Sequence, residues 1–182
     1  QCWMKENLRT THYSNGTSIA LGSSTSTSTA YRYYPNNNSS NVDTYGYLYN
    51  WKAVMGSSTT SSANPSGVRG ICPIGWHVPS DSEWTQLTNY VGSQPQYQCD
   101  NSSENIASAL ASTWGWMSST ETCAVGNTNT NNNATGFSAP PAGSRYYNGY
   151  TSFGYLANFW SATESTEYSA WNAYSRLLYY ND

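Results

Sequence analysis

Two residues that could perform nucleophilic catalysis lie within one stretch of fifteen residues, GICPIGWHVPSDSEW, which begins at Gly70. A cysteine becomes a strong nucleophile when a neighbouring base accepts its proton, and His77 follows Cys72 by five positions. Such a site also needs a cationic environment that lowers the pKa of the thiol. In an oxidising compartment an inert, disulfide-bonded cysteine is the favoured alternative. We therefore predict no catalytic residue in this stretch.

The second half of the stretch has the pattern of a helix start. Ser80 and Glu83 form an S-x-x-E capping box, in which each side chain satisfies one free backbone N–H group. Asp81 falls in the first turn, where the helix dipole favours an anion. Trp84 then begins an apolar helix face. We interpret the stretch as a strand-to-helix junction and assign Ser80, Glu83 and Trp84 structural roles.

Three further residues are assigned structural roles. We expect Trp76 to pack the junction and Trp160 to lie in the core, because large aromatic rings are buried more often than exposed. We expect His77 to be buried or at a helix cap, with its hydrogen bond made to the backbone.

Metal and cofactor sites lack a matching ligand pattern. The two histidines, His12 and His77, are far apart, and the chain has neither a His-x-x-x-His nor a Cys-x-x-Cys motif. Glu164 and Glu167 are an alternative as calcium ligands, but calcium takes about six to eight oxygens. We predict no metal and no cofactor.

The four cysteines predict disulfides. We favour the pairing of Cys99 with Cys123, because the two flank one helical segment and enclose a short loop. Cys2 with Cys72 would then tie the N-terminal strand to the junction. The alternative is a thiol whose partner lies outside this chain.

Composition indicates an extracellular or cell-surface protein. Only 9% of the 182 residues are charged, against about 25% in an average soluble domain, and Tyr, Trp, Ser, Thr and Asn are abundant. The net charge of -3 is scattered without a basic run, so we expect no nucleic-acid partner. No run of about 18 apolar residues predicts a transmembrane segment.

The residue patterns predict an α+β protein in a single domain of residues 1–182. We expect a strand over residues 2–8, helices over 45–55, 80–92 and 104–111, and antiparallel strands from residue 137 onward. Polar, low-complexity stretches at 14–28, 35–41 and 126–136 predict long loops.

Several blocks between residues 45 and 171 together resemble a known family: YGYLYNWKAV, GICPIGWHVPSDSEW, NATGFSAPPAGSRY and ANFWSATESTEYSAW, with WMKENL near residue 3. They are similar to the Fibrobacter succinogenes major paralogous domain of surface proteins, secreted proteins and lipoproteins. The resemblance implies a C-type-lectin-like fold with two to three helices, a small twisted antiparallel sheet and long loops. Family members usually close with a strand like G-x-S-V-R-C, whereas this chain ends LLYYND. The resemblance therefore implies that this strand is missing or replaced, and a missing strand would leave a sheet edge open.

The preferred function is noncatalytic binding or adhesion, to glycan or surface protein, through a C-terminal aromatic and Asn-rich face. Flat aromatic rings suit the apolar faces of sugars, and amides suit their hydroxyls. The candidate ligand-binding residues are Tyr168, Trp171, Asn172, Tyr174, Tyr179, Tyr180 and Asn181. Burial in the core is the alternative for Trp171.

Two other functions are kept as alternatives. A structural subunit could self-associate into surface filaments through an open sheet edge. An enzyme of the sulfatase-modifying type is the other, although those relatives act through reactive cysteines near the C-terminus, which this chain lacks.

Overall fold

A computed structural model describes residues 1–165 and 173–182. It is a mixed α/β structure of short elements, which agrees with the predicted α+β class. The helices are α1 (Val42–Tyr45), α2 (Trp51–Met55), α3 (Asp81–Gly92) and α4 (Ala107–Leu110). The strands are β1 (Ala20–Leu21), β2 (Tyr31–Tyr33), β3 (Leu48–Tyr49), β4 (Ser144–Tyr146), β5 (Gly149–Thr151), β6 (Leu156–Trp160) and β7 (Ser175–Tyr179).

The strands form three small sheets. β1 pairs with β2 in parallel, and β3 pairs with β2 in antiparallel orientation. β4 and β5 form an antiparallel hairpin, and β6 pairs with β7 in antiparallel orientation over five residue pairs. The antiparallel strands predicted for the last third of the chain are confirmed.

Helix α3 confirms the capping box. The Ser80 hydroxyl accepts a hydrogen bond from the Glu83 N–H at 3.2 Å, and the Glu83 carboxylate accepts one from the Ser80 N–H at 3.0 Å. Two of the four free N–H groups of the first turn are thus satisfied within the motif.

The single helix predicted over residues 45–55 is wrong. The chain breaks at Gly46, whose φ is +73°, and a Cβ there would come within 2.7 Å of the Asn7 Cβ. Strand β3 follows, and α2 starts afresh at Trp51 with the Asn50 side chain as its N-cap. Of the apolar residues at helical spacing, Leu48 lies in β3, whereas Trp51, Val54 and Met55 lie in α2.

The N-terminal strap (residues 1–6) is irregular, so the strand predicted over residues 2–8 is also wrong. Residues 2–6 make no backbone hydrogen bond with any described residue. From Leu8 onward the chain is tied down, because the Tyr47 N–H donates to the Leu8 carbonyl at 2.9 Å. The helix predicted over 104–111 is reduced to α4.

Two clusters of buried side chains form the core. The first core cluster is Val91, Ile106, Ala109, Leu110, Ala111, Trp116, Val125, Ala139, Ala157 and Leu178. The second core cluster is Ile19, Ala53, Val54, Met55, Val68, Ile71, Cys72, Val78 and Ala162. The first therefore joins α3 and α4 to the β6–β7 pair, and the second joins α2 to the junction before α3.

The disulfide between Cys99 and Cys123 is present, with a Cα–Cα distance of 5.6 Å. The pairing of Cys2 with Cys72 is not formed, and both residues are free thiols. Cys72 is buried in the second core cluster, whereas Cys2 is exposed on the strap. In the described ranges, no helix has both the length and the apolar character needed to cross a bilayer.

Candidate functional site

An open cleft of about 1400 Å³ is lined by residues of the second core cluster and by Phe137 and Phe159, which pack against the first. Its walls come from the strap, α2, the junction before α3, β4 and the β6–β7 pair. The lining includes six aromatic side chains that come from separate parts of the chain: Trp3, Trp51, Trp84, Phe137, Phe159 and Trp160. The cleft is therefore a mainly apolar surface with many aromatic rings, assembled from distant parts of the chain.

One end of the cleft is a cluster of four rings. The Trp3 ring centroid lies 4.6 Å from that of Trp84 and 5.8 Å from that of Phe137. Phe159 closes the group, 5.6 Å from Trp84 and 5.8 Å from Phe137. These separations and tilted angles are those of favourable aromatic pairs. Trp84 is only 5% exposed with the strap in place, as its predicted structural role requires.

The middle of the wall is held by indole hydrogen bonds to the backbone. The Trp160 indole N–H donates to the Tyr49 carbonyl, and the Trp51 indole N–H donates to the Ser161 carbonyl, each at 2.9 Å. Trp160 is half-buried and packs against the second core cluster. Because these bonds fix the two ring orientations, Trp51 and Trp160 are in place before any ligand arrives.

Asn158 is the polar group of the β6 wall. It sits opposite Leu177 in β7, and Asn158, Phe159 and Trp160 all line the cleft. Its Nδ2 lies 3.5 Å from the Ser144 hydroxyl. Its Oδ1 is hidden from solvent and has no hydrogen-bond partner among the described residues. Such an acceptor costs about 1–3 kcal/mol until a donor reaches it.

His77 and Glu83 are hydrogen-bonded to each other on the cleft wall. His77 Nε2 lies 2.7 Å from Glu83 Oε1, while Glu83 Oε2 accepts the backbone N–H groups of Ser66 and Ser80, both at 3.0 Å. Burial alone raises the pKa of Glu83, but the hydrogen bonds from Ser80, His77 and Ser66 outweigh it and hold the pKa below its ordinary value. The Glu83 carboxylate is therefore ionised, and both of its oxygens already have hydrogen-bond partners.

The prediction for His77 is wrong in two respects. Its side chain is 38% exposed, and its partner is a carboxylate rather than the backbone. The junction is exposed from residue 73 to residue 77, with a φ of +88° at Gly75, and both Trp76 and His77 lie in this exposed part. Trp76 is accordingly an exposed residue of the cleft wall, not a packed one.

Cys72 lines the cleft without the properties of a nucleophile. Burial raises the pKa of its thiol to about 11, so the thiolate is scarce at neutral pH. Among the described residues, no hydroxyl or thiol hydrogen-bonds to His77. The arrangement therefore lacks an activated nucleophile.

One group of potential metal ligands occurs in residues 1–165 and 173–182. The ligand atoms of Cys99, Asp100 and Cys123 lie within 4.8 Å of one another. The two sulfurs are bonded to each other, so neither is a thiolate that could bind a metal.

The predicted ligand-binding residues that the structure describes do not line the cleft. Tyr168, Trp171 and Asn172 lie outside the described residues, as does Glu167. Tyr179 and Asn181 are exposed, and Tyr174 is half-buried. Tyr180 is half-buried, with its ring 5.0 Å from that of Tyr155. None of these four described residues lines the cleft, whereas Ala173, Ser175 and Leu177 do.

Sequence reasoning missed Trp3, Phe137 and Asn158. Asn158 had a usable signal, because it is the one amide in the strand LANFW, where alternation predicts a side chain facing a cavity or solvent. No sequence pattern indicated a cleft role for Trp3 or Phe137, because only the fold brings them into contact with Trp84.

Comparison with known proteins agrees with the resemblance seen in the sequence. No curated protein and no solved structure gave a match. The profile of the Fibrobacter succinogenes major domain matches residues 1–181. Because that match covers nearly the whole chain, the protein belongs to the Fibrobacter succinogenes major domain family.

Proposed function

We propose that this protein is a noncatalytic binding module of the extracellular space or cell surface, and that it binds a neutral glycan in the cleft. The observation that carries the proposal is the aromatic wall with the unpartnered Asn158 amide oxygen. Aromatic rings pack on the apolar faces of sugars, and a sugar hydroxyl supplies the donor that Asn158 lacks. The cleft exceeds the roughly 300–1,000 Å³ of a drug-sized pocket, so it has room for more than one sugar ring.

The charge of the cleft supports a neutral ligand. Among the residues that the structure describes, two basic side chains, Lys52 and Arg145, and two acidic ones, Glu6 and Glu83, line it. Glu83 is already paired with His77. A site for an acidic glycan would need more basic than acidic side chains facing the ligand.

The noncatalytic part of the proposal rests on Cys72 and His77. The thiol pKa of about 11 and the absence of a described hydroxyl or thiol beside His77 disfavour a nucleophilic enzyme. We include the C-type-lectin-like fold in the same proposal. The long loops and the antiparallel β6–β7 pair near the C-terminus support it.

An array of neutral glycans tests the site with four proteins: wild type, Asn158→Ala, Tyr179→Ala and Asn148→Ala. Asn148 is an exposed amide of the β4–β5 turn outside the cleft, so its variant is the matched control. We expect wild type and the control to bind alike, and Asn158→Ala to bind about five- to tenfold more weakly. If only Tyr179→Ala lost glycan binding, the binding site would lie on the C-terminal face that the sequence predicted, not in the cleft. No glycan bound by folded wild type would refute the proposal.

Self-assembly is the second candidate, favoured by one observation. In the described part of the chain β7 pairs with β6 alone, and its Leu177 and Tyr179 side chains are 43% and 40% exposed. An unprotected strand of this kind is a template for pairing with another chain. Filaments in concentrated wild type that are absent from Leu177→Lys would support this candidate, and a monomer at all concentrations would exclude it.

A further inference from the structure

The strap is attached to the molecule at few points. Its backbone from residue 2 to residue 6 has no hydrogen bond to any described residue. The Gln1 side chain donates to the Glu83 carbonyl at 3.2 Å and to Gln86 Oε1 at 3.1 Å. Segments with so few buried hydrogen bonds open at low free-energy cost. The strap is therefore held by the Gln1 bonds, by the exposed Glu6–Arg9 ion pair of 2.8 Å and by the contacts of the Trp3 ring with Trp84 and Phe137.

The chain immediately after the strap is firmly anchored. The Asn7 side chain donates to the Tyr45 carbonyl at 2.9 Å, and the Leu8 carbonyl accepts the Tyr47 N–H. Gly46 packs directly on Asn7, with no room for a side chain between them. Opening of the strap would thus stop at Asn7 and leave β3 undisturbed.

Trp3 fills a place that suits a flat ring. Trp84 and Phe137 contact it, and Phe159 backs both of them. All three of these rings line the cleft, and they contact one another without Trp3: the Trp84 and Phe137 centroids are 6.1 Å apart, and Phe159 lies near both. The seat for the ring therefore exists independently of the strap.

We propose that the Trp84, Phe137 and Phe159 rings form a sugar-ring subsite of the cleft, and that Trp3 is a built-in occupant which the ligand displaces. The inference rests on the proposed glycan function. A sugar ring presents a flat apolar face of the same kind as an indole, so the two compete for one surface. Binding then includes the cost of releasing Trp3, which lowers the apparent affinity of the resting protein.

The test is calorimetric titration of wild type, Trp3→Ala and Trp114→Ala with three neutral hexasaccharides, built of glucose, xylose and mannose. Trp114 is an exposed tryptophan outside the cleft, so its variant matches the change in residue type. We expect Trp3→Ala to bind the accepted hexasaccharide about three- to tenfold more tightly than wild type, and Trp114→Ala to bind like wild type.

Binding of equal strength by wild type and Trp3→Ala would overturn the displacement while leaving the glycan function intact. Weaker binding by Trp3→Ala would overturn it too, because Trp3 would then be part of the ligand's own wall. No binding by any of the three proteins would overturn both proposals.

A second measurement uses unmodified protein, in case Trp3→Ala does not fold. Lys5 is an exposed residue of the strap, and trypsin cleaves after it. If the hexasaccharide displaces Trp3, the rate of cleavage after Lys5 rises several-fold while the rest of the chain stays protected. An unchanged rate at saturating hexasaccharide would contradict the displacement.

Discussion

Glu83 shows how one side chain can serve the fold and the cleft together. Its carboxylate caps α3, accepts the Ser66 N–H and holds His77 on the cleft wall. Each of these bonds favours the ionised carboxylate over the neutral acid. Because the Glu83 carboxylate already accepts these hydrogen bonds, its position beside His77 and the cleft is not by itself evidence for acid–base chemistry.

Glu83→Gln should destabilise the protein in a pH-dependent way. Because the folded-state pKa is lowered, the contribution is fully present above the unfolded pKa of about 4.3 and is lost as the pH falls through the lower folded pKa. We expect a loss of about 1–3 kcal/mol at pH 7, shrinking below about pH 4. Urea unfolding of wild type and variant at pH 7 and at a pH below about 4 measures this loss. Glu104→Gln, at an exposed loop residue, is the control, and an equal loss at both pH values would contradict the assignment.

The two free cysteines should differ in reactivity. Cys2 is exposed, whereas Cys72 is buried with a pKa raised to about 11. Titration of the native protein with a chromogenic disulfide reagent should therefore modify one thiol within minutes and the second only on unfolding. Mass spectrometry of the products identifies the residue. Finding no reactive thiol even in the unfolded protein would mean that Cys2 and Cys72 are joined after all.

At the scale of elements, the predictions that held were those with local causes. Helix α3 has its cap, first-turn acid and apolar face within one continuous segment, so its start could be predicted. The break at Gly46 has a nonlocal cause, the close approach of Asn7. The exposure of Trp76 and His77 belongs to the exposed stretch of residues 73–77, which contains a positive φ at Gly75 that the sequence permits but does not require.

Ser80→Ala should cost about 1 kcal/mol of unfolding free energy, because the Glu83 N–H loses its acceptor. Ser58→Ala, at an exposed serine after α2, is the matched control and should stay within about 0.5 kcal/mol of wild type. Chemical denaturation of the two variants gives both values. Equal stabilities would show that the capping box contributes nothing.

At the scale of the whole molecule, the cleft joins the strap, the junction before α3 and β6–β7, which are up to about 170 positions apart in the sequence. Aromatic abundance indicated a binding surface, but it could not say which rings would meet. Concentration of tyrosines near the C-terminus favoured that face, and the structure instead brings Trp3, Trp84 and Phe159 together. Such long-range contacts have no local signal.

The most direct test of the central claim is a nuclear magnetic resonance titration of isotope-labelled protein with a hexasaccharide bound on the glycan array. We expect the resonances of the Asn158 side-chain amide and the Trp160 indole N–H to shift together and to saturate at one ligand concentration. The side-chain amide resonances of Asn181 and Asn148 should not shift. Shifts confined to Asn181 and the neighbouring Tyr179 and Tyr180 would contradict the cleft.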